Sequence, residues 1–181
     1  LIEALADGTV DAVATDQAPH THDEKAKGFI EAPFGVIGLE TAFAALLTFV
    51  HDGTISDTRA VELMTSNPAR ILGLKGCLGT LNEAAPVHLT LVDPNREWTV
   101  TEKAMAGKST NSAFLGRVFK GKVVATVLHG ELRYADGEPA VDYEGRGCKH
   151  GQFARTNEAG EWEMQGVAGT TCHPMAFVEA D

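Results

Sequence analysis

The 181 residues, 44% hydrophobic and 22% charged, are enough for one domain or a domain and a half with a buried core. A net charge of -10 repels nucleic acid and anionic membrane surfaces, and no apolar run approaches a membrane span, so both partner classes are excluded. Three widely spaced cysteines (Cys77, Cys148, Cys172) make no disulfide framework, and a reducing, cytoplasmic setting is expected.

The chain starts at Leu1 inside an amphipathic pattern and without an initiator Met, which reads as a piece of something longer. Residues 1–6 (LIEALA) read as the end of a helix closed by Asp7-Gly8. Val10–Ala14 reads as a short buried strand that stops on Thr15-Asp16. A loop without clear period follows from Asp16 to Gly35. Val36–Val50 is apolar almost all round and predicts a helix buried on more than one side, ended by His51-Asp52-Gly53. Ser56 or Asp57 can cap a helix running to about Thr65. In SNPARILGL, Asn67 is the expected N-cap, Pro68 the first helical residue and Gly73 the stop. Helix, strand, long loop and helix is the order of a βα unit, in which ligands sit on the loop after the strand.

The texture changes after Gly76. HLTLVDP and KVVATVLHGELRY alternate apolar and polar residues, as strands of a small antiparallel sheet do, with Gly121 turning in and Gly130 turning out. Residues 138–181 carry no periodicity that assigns an element, and no internal repeat is visible.

Asp16 is the sharpest chemical signal. A carboxylate at the end of a buried strand points into a functional mouth, where it binds a metal or acts as a base; the alternative is a turn or capping aspartate. His20 stands behind Pro19, which stiffens the loop, and could hydrogen-bond an anionic ligand or be an ordinary surface histidine. Gly35 lets the backbone approach a ligand with its N–H groups free, or simply turns the loop into a helix. His22 and the Asp23-Glu24-Lys25 run read as a solvated face. Cys148, His150, Cys172 and His173 offer soft metal donors, but the adjacent Cys172 and His173 reach one ion together poorly and no C-x-x-C knuckle is present.

Taken together, ATDQAPHTHDEK, EAPFGVIGLETA, TSNPARILGL and GKSTNSAFLGRVFKGKVVATVLHGELRY resemble the class I dihydroorotases of the amidohydrolase superfamily over roughly residues 1–137. The specific part is the Asp-x-Ala-Pro-His-Thr to Ala-Pro-Phe-Gly block, whereas NPARILGL is shared across the superfamily. The resemblance implies an α/β fold: the carboxyl-terminal part of a metal-dependent-hydrolase TIM-like (β/α)8 barrel, plus part of a small β-sandwich. Residues 1–75 would supply the last strand, substrate loop and closing helices, residues 76–137 sandwich strands, and residues 138–181 an unassigned extension.

The implied activity is zinc-dependent, reversible closure of N-carbamoyl-L-aspartate to dihydroorotate in pyrimidine synthesis. Asp16 would be a metal ligand and proton shuttle, His20 a substrate contact, and Phe34 with Gly35 the main-chain step that holds the substrate. One or two zinc ions are implied, with the remaining ligands upstream of Leu1, so these 181 residues alone are expected to be inactive. Partners would be the small-molecule substrate and either aspartate transcarbamoylase or further copies of the same chain. The alternative is a non-catalytic dihydroorotase-like subunit that scaffolds aspartate transcarbamoylase. Gln17 departs from the family pattern, which has histidine directly after the aspartate; glutamine donates and accepts but does not titrate near neutrality, and reads as a tuning change.

Overall fold

A computed structural model of the chain describes residues 1–83, 85–135, 138–139, 154–156 and 162–164. The cysteine–histidine cluster from Cys148 to His173 lies outside them. Five helices come first: α1 (Ile2–Ala6), α2 (His22–Lys25), α3 (Ala42–His51), α4 (Asp57–Met64) and α5 (Ser66–Ile71). Then come β1 (His88–Thr99), a 3-10 turn (Glu102–Ala104), β2 (Val118–Leu128), β3 (Glu131–Ala135) and β4 (Glu138–Pro139). β1 to β4 form one antiparallel sheet in chain order, and β5 (Ala154–Thr156) pairs with β6 (Trp162–Met164) in a second.

The helix ends follow the local sequence. Asp7 closes α1 by donating its N–H to Glu3 O at 2.9 Å. Ser56 caps α4, its hydroxyl accepting from the N–H of Arg59 at 3.1 Å. Ser56→Ala is expected to cost about 1 kcal/mol, read as a shifted denaturant midpoint at unchanged m-value. The α5 start differs from expectation: Thr65 is the N-cap, but its hydroxyl donates back to Val61 O at 2.7 Å instead of capping, and Asn67 and Pro68 lie within the first turn. The first four N–H groups of a helix lack intrahelical acceptors, so Pro68 is tolerated two residues later than predicted. Gly73 ends the helix as expected, with Leu74 N–H reaching back to Ala69 O at 2.8 Å.

Val10–Ala14 does not form the predicted strand. Strand geometry needs a partner ladder, and among the described residues none lies beside it. Helices satisfy the backbone instead: Val10 N–H donates to Ala4 O and Val13 N–H to Leu63 O, both at 2.9 Å. The Arg59 guanidinium donates to Leu5 O at 2.9 Å and Val10 O at 2.6 Å. Val10 and Val13 pack against Leu46, Ile55, Ala60 and Leu63, so the burial predicted for this segment holds although its ladder does not.

α3 is the hub of the packing. Ala44 joins Ile37, Val100, Met105 and Phe119 against the sheet, while Leu46 joins Ile55, Ala60 and Leu63 against the other helices. This two-sided burial explains its all-round apolar sequence. The helix starts at Ala42 rather than Val36, because Ile37 is drawn into a bridge with Ser112 and its N–H donates to Asn111 O at 3.3 Å.

β1 is longer than its alternating pattern suggested and runs through Pro94. Asp93 pairs with Lys122 and Glu97 with Lys120, which leaves Pro94, Asn95 and Arg96 opposite the single residue Gly121. The Asp93 carboxylate stabilises this bulge by accepting from the N–H groups of Asn95 (2.9 Å) and Arg96 (3.1 Å). Gly121 therefore lies inside β2 and is not the expected turn. His129 and Gly130 do turn, at φ 52° and 77°, as a two-residue hairpin requires.

Candidate active site

Asp16 sits where the chain leaves the α1/α4 surface, at φ 46°, in the left-handed region that few residues other than glycine enter. Its side chain is exposed, and among the described residues its carboxylate accepts no hydrogen bond and joins no ion pair. Just beyond it, the two arms of the loop are joined. Ala18 N–H donates to Val36 O at 3.0 Å, and Gln17 Oε1 accepts from the N–H groups of Gly38 (2.7 Å) and Leu39 (3.0 Å). Gly35 is needed for this approach: at φ 94°, a Cβ there would lie 2.5 Å from Ala18 Cβ.

His20 crosses the same loop. Its Nε2 lies 2.9 Å from Phe34 O, so that nitrogen carries the proton and donates. Its backbone is held from the far side of the chain: the Ser109 hydroxyl donates to His20 O at 2.8 Å, and His20 N–H points at Asn111 Oδ1 at 3.5 Å. Asn111 Nδ2 in turn lies 3.4 Å from Gly35 O. Lys25 Nζ donates to Pro33 O and Gly35 O, both at 2.9 Å. Three successive carbonyls, 33 to 35, are thus committed to the loop's own side chains, while the N–H groups of Phe34 and Gly35 have no partner among the described residues. The Phe34 ring is 94% exposed, so this residue meets the loop through its main chain.

The Asp23-Glu24-Lys25 run is therefore more than a solvated face. Besides the Lys25 grip, Glu24 completes a capping box on α2: Thr21 Oγ1 accepts Glu24 N–H at 3.2 Å, and Glu24 Oε2 accepts Thr21 N–H at 2.8 Å. The Thr21 N–H, then the Thr21 hydroxyl and more weakly His20, hold the Glu24 carboxyl below its ordinary value. A lowered folded-state value means the box contributes above the unfolded glutamate range and is lost as pH falls through the folded value. Acid titration is expected to speed hydrogen exchange at Thr21 in that window, and Glu24→Gln to remove this dependence.

His20, Phe34 and Gly35 are brought together, and Asp16 stands on the other arm, connected through Gln17 and Ala18. Sequence reading missed Lys25, Ser109 and Asn111 as parts of this arrangement. Only GKSTNSAF hinted at the last two, and it carries no sign of which loop they serve. Zinc takes three or four protein ligands, and no group of three or more His, Cys, Asp or Glu side chains converges among the described residues. By itself, Asp16 supplies one open carboxylate, which suits one oxygen ligand of a larger set.

A profile described as "Amidohydrolase family" matches residues 1–133. The chain belongs to the amidohydrolase family. It is 46% identical over 133 residues to a dihydroorotase of Geobacter sp. (strain M21), covering 74% of this chain and 31% of that one. It is 42% identical over 135 residues to a dihydroorotase of Caldanaerobacter subterraneus subsp. tengcongensis, with the same coverage. The chain thus spans about a third of the length of these curated amidohydrolase relatives. Among solved structures, an L-hydantoinase (dihydropyrimidinase) from Arthrobacter aurescens superposes with TM-score 0.73 at 29% identity, over 78% of this chain and 32% of that one. A D-hydantoinase gives TM-score 0.71 at 26% identity, over 76% and 31%. The α/β amidohydrolase fold class, part of a TIM-like barrel with part of a small sheet domain, agrees with these neighbours. No helix among the described residues is long and apolar enough to cross a membrane.

Proposed function

We propose that the protein carrying this chain is a dihydroorotase, which interconverts N-carbamoyl-L-aspartate and dihydroorotate. The observation that carries the reading is the loop itself. It has an open carboxylate at Asp16, a fixed His20 and the uncommitted N–H groups of Phe34 and Gly35, within the residues 1–133 matched by the amidohydrolase profile, in a chain 42–46% identical to dihydroorotases over about three quarters of its length. Asp16 moves the proton: onto the departing ring nitrogen on opening, and off the carbamoyl nitrogen on closure. His20 and the Phe34-Gly35 step hold the substrate's polar edge, with the N–H groups supplying donors for its anionic or carbonyl oxygens. Asp16 would be one ligand of a bound zinc site of one or two ions, which would supply Lewis acidity toward water and the ring amide. On this reading residues 1–75 complete the barrel and residues 76–137 belong to the sandwich, from which Ser109 and Asn111 brace the loop.

The test is a substrate panel on a polypeptide of the relatives' length that contains these residues. Turnover of dihydroorotate and carbamoyl aspartate, well above that of hydantoin or uncharged dihydropyrimidine rings, is the expected result. Turnover confined to uncharged rings, or none in the zinc-loaded protein, overturns it.

A further inference from the structure

We infer that Gln17 is a positioning residue that sets the backbone of Asp16 by clasping the Gly38-Leu39 step just ahead of α3; the part of this inference that concerns turnover rests on the function proposed above. The side-chain amide oxygen of Gln17 accepts two N–H groups at once, from Gly38 at 2.7 Å and Leu39 at 3.0 Å, which lie 21 and 22 residues along the chain. An amide oxygen has two lone pairs for this task, whereas a neutral imidazole offers one acceptor nitrogen. Histidine at this place could hold only one of the two amides through its ring, so the Gln17 departure changes how the loop is closed.

The far side of the clasp is fixed. Ile37 N–H donates to Asn111 O at 3.3 Å, Thr41 is 1% exposed, and Gly38 packs so closely on Thr15 that a Cβ there would lie 3.3 Å from Thr15 Cβ. The Glu40 carboxylate accepts the N–H groups of Ala106 (2.9 Å) and Gly107 (3.2 Å), which fastens the same step to the segment before β2. Pinning the Gln17 side chain to this frame fixes the peptide plane between Asp16 and Gln17. Asp16 is the residue at φ 46°, a conformation that persists only where its surroundings hold it, and the clasp is the adjoining restraint. The direction of the Asp16 carboxylate is therefore set in part by two amides in the turn that leads into α3.

The experiment compares wild type, Gln17→Met and Gln17→Glu in a polypeptide of the relatives' length, using amide exchange, the Asp16 carbon shifts and steady-state kinetics. Gln17→Met keeps the side-chain length without the acceptor; exchange at Gly38 and Leu39 should rise about tenfold. Ala60 and Val127 should be unaffected, and the Asp16 Cα and Cβ shifts should move away from left-handed values. Turnover should fall about tenfold in kcat with KM within about twofold. Gln17→Glu, which retains the acceptors, should restore slow exchange at both amides. Unchanged exchange at Gly38 and Leu39, faster exchange throughout the protein, or local loosening with unchanged Asp16 shifts or unchanged kcat each overturns the inference. A wild type without dihydroorotate turnover counts against the proposed function alone, and the exchange and shift results then decide the role of Gln17.

Discussion

Asp16→Asn is expected to lower kcat/KM for dihydroorotate by about a thousandfold or more while leaving the protein folded. The first half follows from the chemistry proposed for Asp16: the amide that replaces the carboxylate neither carries the proton nor serves as a charged metal ligand, and general acid–base roles are typically worth about 10²–10⁴ in rate. The second half follows from the structure. The carboxylate accepts no hydrogen bond and forms no ion pair among the described residues, so its loss removes no stabilising contact there. Asparagine also tolerates the left-handed backbone at φ 46°, whereas alanine adds a penalty of about 1 kcal/mol or more at the same place. Compared with zinc-free wild type, zinc-free Asp16→Asn should thus unfold within about 0.5 kcal/mol, and Asp16→Ala should be less stable as well as inactive when zinc is supplied. Steady-state kinetics, zinc content and denaturant unfolding of both variants check this, and retained turnover in either removes Asp16 from the mechanism.

What could be read from the sequence divides by the distance of the interaction. Asp7, Ser56 and Gly73 mark helix ends because a cap acts within a turn of itself. The apolar content of α3 correctly implies burial on two sides, but not where the helix begins. That boundary is set by Ile37 pairing with Ser112, a partner outside any local window. Val10–Ala14 has the composition of a strand, and composition does not supply the neighbouring ladder. The site follows the same rule. Asp16, His20 and Gly35 stand out because residue type, spacing and family likeness coincide there. Ser109 and Asn111 reach His20 across 89 and 91 residues, and a polar residue in a loop gives no sign of the backbone group it will meet. Lys25 was misread because a charge run is usually solvated; its two carbonyl acceptors become visible only once residues 33–35 fold back onto it.

Gly121 is where that blindness had the largest structural consequence, and Gly121→Ala is expected to destabilise the protein by about 3 kcal/mol. The residue lies inside β2 at φ 110°, opposite the bulge of β1, with its carbonyl accepting from Trp98 Nε1 at 2.8 Å. An added Cβ would lie 2.3 Å from Leu47 Cδ1, the end of a side chain that is 1% exposed. Backbone strain costs roughly 1–2 kcal/mol and overpacking roughly 1–3 kcal/mol, and either way of relieving the contact, a turned Leu47 side chain or a shifted α3, disturbs the packing of α3 on the sheet. The cause can be separated by a double-mutant cycle. Leu47→Ala alone should cost about 2–5 kcal/mol by opening a cavity at the α3–β2 contact. Combined with Gly121→Ala, the new methyl occupies part of that cavity, so the double variant should be about 1–2 kcal/mol more stable than the sum of the singles predicts. Additive losses in denaturant unfolding would mean that the Leu47 contact is not what excludes a side chain at position 121. The same displacement should reach the loop. The Gly38-Leu39 step is tied to the start of α3 through Gly38 O, which accepts from Thr41 and Ala42, so Gly121→Ala should also speed amide exchange at those two residues, linking a close packing contact in the sheet to the backbone of Asp16.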